Sequence, residues 1–299
     1  MSNLQPDLTT EIHLPSPPFL PVDGLPNFRD CGGYPIAGRP GWMLRKGVIY
    51  RSANPSTITE EGISHLRALG IVKVFDLRSS KEIEESTRQG WGRIRVWDPA
   101  QRVSVPIFKD SDVTSAHRAR RDKNPRKEGH DGYIEYYQEL LASALAADDT
   151  AQSLRSILGH LATGSPSGPE PVLIHCSLGK DRTGVICALI LSICGVEDDI
   201  VAHEYALTAL GLQRKIAQIM LEIRPHAPSM TEEEQRFFGS RKGAMLGFLA
   251  YIRRNGGPQR LVEESGVISP AEIEQLRMNL ITELEAGEEH ADWKEHTKL

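Results

Sequence analysis

The chain is short of cysteine, of long apolar runs and of any charge excess, and each shortage narrows what it can be. Four cysteines in 299 residues (Cys31, Cys176, Cys187 and Cys194) are too few for the disulfide framework of a small secreted scaffold, and a chain this long needs none. No two are spaced C-x-x-C, so no zinc site is expected. The longest strongly apolar run, 185–193, is too short to span a bilayer. The first 21 residues lack a basic start followed by an apolar core, so no secretory signal is expected. A reducing, cytoplasmic setting follows as the expectation, and it would keep a thiolate reduced. With 35 basic and 40 acidic residues the net charge is −5, which offers nothing to nucleic acid. No repeat stands out, and nothing in the sequence speaks to oligomeric state.

What is present is ordinary globular material, 39% hydrophobic and 25% charged. Residues 1–22 carry Pro15, Pro17, Pro18 and Pro21 without a hydrophobic period and read as an extended or disordered arm. A single domain is expected over 23–285, with 286–299 a frayed, Glu/Lys-rich tail. Residues 47–53 read as a short strand. Residues 57–69 read as a helix, with Thr57 and Glu60 as a capping box, Ile63 and Leu66 as its apolar face and Gly70 at its end. A β-branched strand follows over 71–77 and another near 103–107. Residues 109–132 are polar, with a basic run at 118–127, and read as a surface loop. Helices are expected over 132–145 and 151–161, a strand over 171–175, and a buried helix over 185–194 ended by Gly195. Further helices are expected near 198–210, 212–223, 231–238, 241–254 and 270–284. Alternating strands and helices indicate an α/β fold.

The run HCSLGKDRTG at 175–184 lies between the buried strand and the buried helix. A strand, a tight loop and a helix N-terminus make an anion-binding design, because loop N–H groups can converge and the helix dipole adds positive potential. Gly179 permits a sharp turn, and Gly184 lets the helix start pack closely. Cys176 would sit at the bottom of this nest. A free thiol titrates near about 8.5, and positive surroundings lower that value. Arg182 can grip two phosphate oxygens with its planar fork. Ser177, Leu178, Gly179 and Lys180 would line the anion, Thr183 would hydrogen-bond the thiolate, and His175 would orient the loop. The chemistry these residues support is attack of Cys176 on a phosphate ester, with fixed donors supplying the charge stabilisation and no metal or cofactor required. Cys187 and Cys194 read as core.

This loop resembles the HCxxGKDRTG signature of the protein tyrosine phosphatase superfamily, in particular its atypical bacterial and fungal branch of tyrosine and dual-specificity enzymes. NFRDCGG at 27–33, KGVIYRS at 46–52, LGIVKVFDLR at 69–78, EYALT at 204–208 and the stretch from Asn255 to Leu280 are similar to segments of that branch, so the resemblance covers about residues 24–280. It implies a central, mostly parallel sheet flanked by helices, with extra helices over the site as a lid, for which 198–240 is the candidate. It implies a nucleophile at Cys176, a phosphate ligand at Arg182 and a phosphocysteine intermediate. Relatives with Lys and Asp before the Arg act on phosphoinositides as well as phosphotyrosine, which offers Lys180 to a second phosphate and Asp181 as the acid for the leaving group. Asp110, Asp112, Asp76 and Asp98 (in Trp97-Asp98-Pro99) are the other acids weighed. Cys31 stands where relatives carry an aliphatic residue, and is either core or a resolving thiol for Cys176. The substrates implied are phosphotyrosine or phosphoserine protein, or phosphoinositide, with a small metabolic phosphate ester as the alternative. Rhodanese-like sulfur transfer and a non-catalytic phospho-binding module are the readings from other classes. Membrane contact would be peripheral at most.

Overall fold

The computed structural model describes residues 14–110, 123–146, 152–163, 168–226 and 229–291. Its strands are β1 (Arg29–Asp30), β2 (Trp42–Leu44), β3 (Ile49–Ser52), β4 (Lys73–Asp76), β5 (Gln101–Ser104), β6 (Val172–His175) and β7 (Ile281–Glu283). The helices are α1 (Glu60–Ala68), α2 (Ser80–Arg88), α3 (Asp131–Ala144), α4 (Ser153–Leu161), α5 (Asp181–Ile193), α6 (Asp198–Ala206), α7 (Thr208–Gly211), α8 (Gln213–Ile223), α9 (Glu232–Phe238), α10 (Lys242–Arg254), α11 (Pro258–Glu264) and α12 (Pro270–Leu280).

The main sheet has the order β1-β3-β6-β4-β5, antiparallel only at the β1–β3 edge, so the expected mostly parallel sheet is what forms. Every residue of β6 is buried, as a central parallel strand covered on both faces requires. The helix that follows, α5, is buried from Arg182 to Ile193, and its all-round apolar character places it in the core. β6 pairs with β3 and β4 so that Ser52, His175 and Asp76 stand level. The chain leaving His175 therefore emerges at the carboxyl end of the sheet, where α/β folds bind their ligands.

Several boundaries differ from the expectations, each for a physical reason. The cap of α1 is Thr59, whose hydroxyl accepts the Gly62 N–H at 3.1 Å, while the Thr57 hydroxyl instead donates to the Gly24 carbonyl at 2.9 Å. The helix expected over 270–284 stops at Leu280, because Ile281–Glu283 pairs antiparallel with Trp42–Leu44 in a two-stranded sheet. β1, β2, α2 and α11 were not anticipated. β2 sits among turn glycines, and α11 is a short helix started by Pro258. Within the segment read as an arm, residues 14–22 pack on the domain: Phe19 and Val22 are buried, and Phe19 bridges Arg29. Residues 1–13 lie outside the described residues. In the tail expected to fray, residues 286–291 hold: the Ala291 N–H donates to the Gly33 carbonyl at 2.9 Å and Lys46 pairs with Glu288 at 2.6 Å. Residues 292–299 and the first half of the basic run at 118–127, residues 118–122, lie outside the described residues. Among the described residues, no helix is long and apolar enough to cross a membrane.

Candidate active site

The loop 176–180 joins β6 to α5, and two glycines make its path possible. Gly179 has φ +63°, and a Cβ there would fall 1.9 Å from the Ser52 carbonyl oxygen. At Gly184 a Cβ would meet the Tyr205 ring at 2.7 Å, so this glycine sets how closely α5 approaches α6. Both roles match the expectation from the sequence.

The loop's hydrogen bonding is one-sided. Among the described residues, the amide N–H groups of residues 177–182 donate to no backbone or side-chain acceptor, and His175 Nδ1–H donates to the Cys176 carbonyl at 3.1 Å. The Ser177 carbonyl accepts both the Asn54 backbone N–H at 3.1 Å and Asn54 Nδ2–H at 3.0 Å. Donors left unpaired at the start of a helix are an anion cradle.

Cys176 and Arg182 share one cavity of about 430 Å³. Cys176 is 4% exposed at its floor. Arg182 donates Nη1 and Nη2 to the two carboxylate oxygens of Glu82, each at 2.6 Å, and Nη1 also reaches the Leu77 carbonyl at 3.2 Å. The Ser177 hydroxyl donates to the same Glu82 carboxylate. Sequence reasoning missed Glu82. It lies in the first turn of α2, behind a Ser79 cap, and only the fold brings it to the loop. Burial alone would lower the Arg182 guanidinium, but the Glu82 charge holds it well above its ordinary value.

The remaining candidates fall into two groups. Asp181 lines the cavity, and its Oδ1 accepts the Tyr137 hydroxyl at 3.2 Å, with Lys180 Nζ at 3.7 Å. Lys180, offered to a second phosphate, is 3% exposed. Its ammonium is held by the protein, donating to the Tyr133 hydroxyl at 2.9 Å and to the carbonyls of Phe237 at 2.5 Å and Gly239 at 3.2 Å. Thr183 Oγ1 is buried and has no hydrogen-bond partner among the described residues. Burial lowers the His175 imidazole below its ordinary value, against the pull of Asp76, whose Oδ2 lies 3.8 Å from His175 Nε2. Asp76 itself is taken by Arg78 and Arg102. Burial would raise its carboxyl, but His175, Arg78 and Arg102 outweigh that and hold it below the usual carboxylate range. Asp110 accepts the Lys81 N–H at the start of α2. Asp98 does not line the cavity, and Asp112 lies outside the described residues.

The segment offered as a lid divides in two. Helix α6 belongs to the core, with Ile200, Val201 and Tyr205 buried. The cavity wall facing the loop comes from α8 and α9, through Lys215, Ile219, Glu222, Ile223, Phe237 and Phe238. Cys187 and Cys194 are core, as expected, and burial pushes the Cys194 thiol up to about 12. Cys31 is wholly buried with its thiol against that of Cys187, and this hydrogen bond, with burial, raises it well above its ordinary value.

A sequence model described as the tyrosine phosphatase family matches residues 20–282. The triple specificity protein phosphatase PtpB of Mycobacterium tuberculosis is 31% identical over 198 residues, covering 62% of this chain and 67% of that relative. A Cupriavidus necator chain named as a tyrosine-protein phosphatase is 29% identical over 185 residues, covering 62% of this chain and 61% of that relative. A tyrosine-protein phosphatase of Nostoc commune is 32% identical over 117 residues, covering 36% and 38%. The match thus spans about two thirds of the first two relatives and less of the third. Since the family model covers most of the chain, from residue 20 to residue 282, the protein belongs to the tyrosine phosphatase family and is a cysteine-dependent phosphatase of its atypical branch.

Proposed function

We propose that Cys176 is the nucleophile of a phosphomonoester hydrolase whose preferred substrate is phosphotyrosine in protein. The observation that carries this reading is the single cavity into which Cys176, the unpaired loop amides and the Arg182 guanidinium open together. Cys176 Sγ attacks phosphorus in line. The S–P bond forms as the ester P–O bond breaks, and Asp181 gives its proton to the departing oxygen. Loop amides and Arg182 take the charge on the equatorial oxygens. Water then attacks the phosphocysteine, returning its proton to Asp181 and releasing orthophosphate and thiolate, and Thr183 Oγ1 donates to the departing sulfur. Glu82 keeps the Arg182 fork at the loop mouth.

The substrate preference rests on the walls. Trp91, Tyr136, Phe237 and Phe238 line the cavity and suit an aromatic ring. Three glutamates (Glu82, Glu85 and Glu222), beside the proton-bearing Asp181, stand against three cations (Lys180, Arg182 and Lys215), and the ammonium of Lys180 is already bound by the protein. That balance accommodates one phosphate and disfavours a polyphosphorylated inositol ring. The packing of residues 14–22 against β1 and of residues 286–291 against Gly33 and Lys46 supports one catalytic domain that includes 23–285. Rapid-quench mass spectrometry with a phosphotyrosyl peptide tests the chemistry. The phosphoryl adduct is expected on Cys176, and its appearance on another residue overturns the assignment.

A further inference from the structure

Five consecutive loop carbonyls, from Cys176 to Lys180, are bound by groups outside the loop or behind it. Two of those groups belong to segments with no other evident task. Asn27 Nδ2–H donates to the carbonyls of Leu178 at 3.3 Å and Gly179 at 3.1 Å. Arg51 Nη2–H donates to the carbonyls of Gly179 at 2.8 Å and Lys180 at 3.3 Å. Asn27 comes from the turn before β1, and Arg51 from β3, so the two residues meet only in the folded chain.

A peptide unit is planar, and its carbonyl and N–H point in opposite directions. Fixing the carbonyl of one residue outward therefore fixes the N–H of the next residue inward. The bonds to Leu178, Gly179 and Lys180 orient the amides of Gly179, Lys180 and Asp181, and those amides are among the ones without a protein acceptor.

The two clamps are themselves held from one point. Glu204 Oε2 accepts Arg51 Nη1 at 2.6 Å, and Glu204 Oε1 accepts Arg29 Nε at 2.8 Å. Arg29 Nη1 donates to Asn27 Oδ1, which fixes which way the Asn27 amide faces. Arg29 and Arg51 are wholly buried and Glu204 is 1% exposed, so this carboxylate has no competitor in solvent. Arg29 also donates Nη2 to the Thr208 hydroxyl at 2.9 Å, a bond that does not reach the loop.

We propose that Asn27 and Arg51, anchored by Glu204, are positioning residues that turn the phosphate loop's amides toward the substrate. This rests on the reading of Cys176 as the nucleophile. The clamp gives the N-terminal block and the α6 segment a defined part in catalysis, although neither touches the reacting atoms.

The test compares Asn27→Gly, Arg51→Lys and Thr208→Val with the unsubstituted chain and with Cys176→Ser. Asn27 has φ +62°, so glycine keeps the backbone while removing the amide. Lysine at 51 keeps the charge beside Glu204 but loses the fork. The readouts are orthovanadate inhibition, kcat and KM for p-nitrophenyl phosphate, and the thermal midpoint. Asn27→Gly and Arg51→Lys are expected to weaken vanadate inhibition at least tenfold and to lower kcat/KM. Thr208→Val is expected to lower the midpoint while leaving vanadate inhibition within twofold. Unchanged vanadate inhibition in Asn27→Gly and Arg51→Lys overturns the proposal, as does an equal loss in Thr208→Val, which would make the effect general destabilisation. Retained turnover in Cys176→Ser would instead remove the underlying assignment of the nucleophile.

Discussion

Asp181, the proposed acid, is the residue whose role depends most on leaving-group chemistry. A positioned general acid contributes about 10²–10⁴-fold when the leaving oxygen is a poor one. Asp181→Asn is expected to lower kcat for phenyl phosphate about a hundredfold or more, and much less for p-nitrophenyl phosphate, whose phenolate leaves unaided. Equal losses for both esters would place the acid elsewhere. The fork of Arg182 illustrates what a sequence hides. The guanidinium and its cysteine lie six residues apart and are recognisable from spacing, whereas Glu82, which binds that guanidinium at 2.6 Å, is about a hundred residues away. Residues 80–88 are polar and lack an apolar period, so no local pattern marks Glu82 as a neighbour of the loop. Lys180 makes the same point in reverse. A lysine inside a phosphate signature reads as a substrate ligand, but Tyr133, Phe237 and Gly239 arrive from distant elements and occupy its ammonium.

Elements with a strong internal pattern were readable, and those defined by a partner were not. β6, α5 and the glycine that ends α5 follow from apolar runs and turn chemistry alone. β1, β2 and β7 are two to three residues long and exist because another strand lies beside them. The start of α1 shows how a single hydroxyl decides a boundary. Thr57 and Thr59 both fit a cap by type, and the backbone turn through Pro55 at the preceding 3₁₀ turn leaves Thr59 as the one that accepts the N–H of the third helical residue. Loss of an N-cap costs about 1 kcal/mol. Thr59→Ala is therefore expected to destabilise the protein by about that amount in a denaturant melt, and Thr57→Ala by clearly less. The reverse order would restore the cap first expected at Thr57. Helices α8 and α9 form the cavity wall over the loop, and the bonds from Lys180 to the carbonyls of Phe237 and Gly239 tie that wall to the phosphate loop.

At the scale of the whole molecule, buried carboxylates set how stability responds to pH, and they do so with opposite signs. Glu204 is held below its ordinary range: burial would raise it, but Arg29 and Arg51 outweigh burial. Its contribution is complete above the unfolded value of about 4.5 and is lost as pH falls through the folded value. Asp76 behaves likewise. Asp30 is different, since burial raises its carboxyl to about 6 from 3.8 despite the N–H bonds from Gly32 and Gly47. The folded state binds that proton more tightly, so its contribution is present below 3.8 and is lost as pH rises toward 6. Acid melting curves are expected to fall steeply below about pH 4.5. Asp30→Asn is expected to remove a decline between pH 4 and 6 that the unsubstituted chain shows. An identical slope in that window for both chains would contradict the sign given to Asp30.

The loop 176–180 leaves the carboxyl end of the central strand β6, with the N-terminal block and α6 behind it and α8 and α9 lining the cavity in front. The most direct test is orthophosphate release by the unsubstituted chain and by Cys176→Ser. The substrates are a phosphotyrosyl peptide, a phosphoseryl peptide and phosphoinositide vesicles, at matched phosphate concentration. The account predicts fastest release from the phosphotyrosyl peptide and none above background with Cys176→Ser. Turnover surviving in Cys176→Ser would contradict the nucleophile, and faster release from the vesicles would contradict the substrate reading.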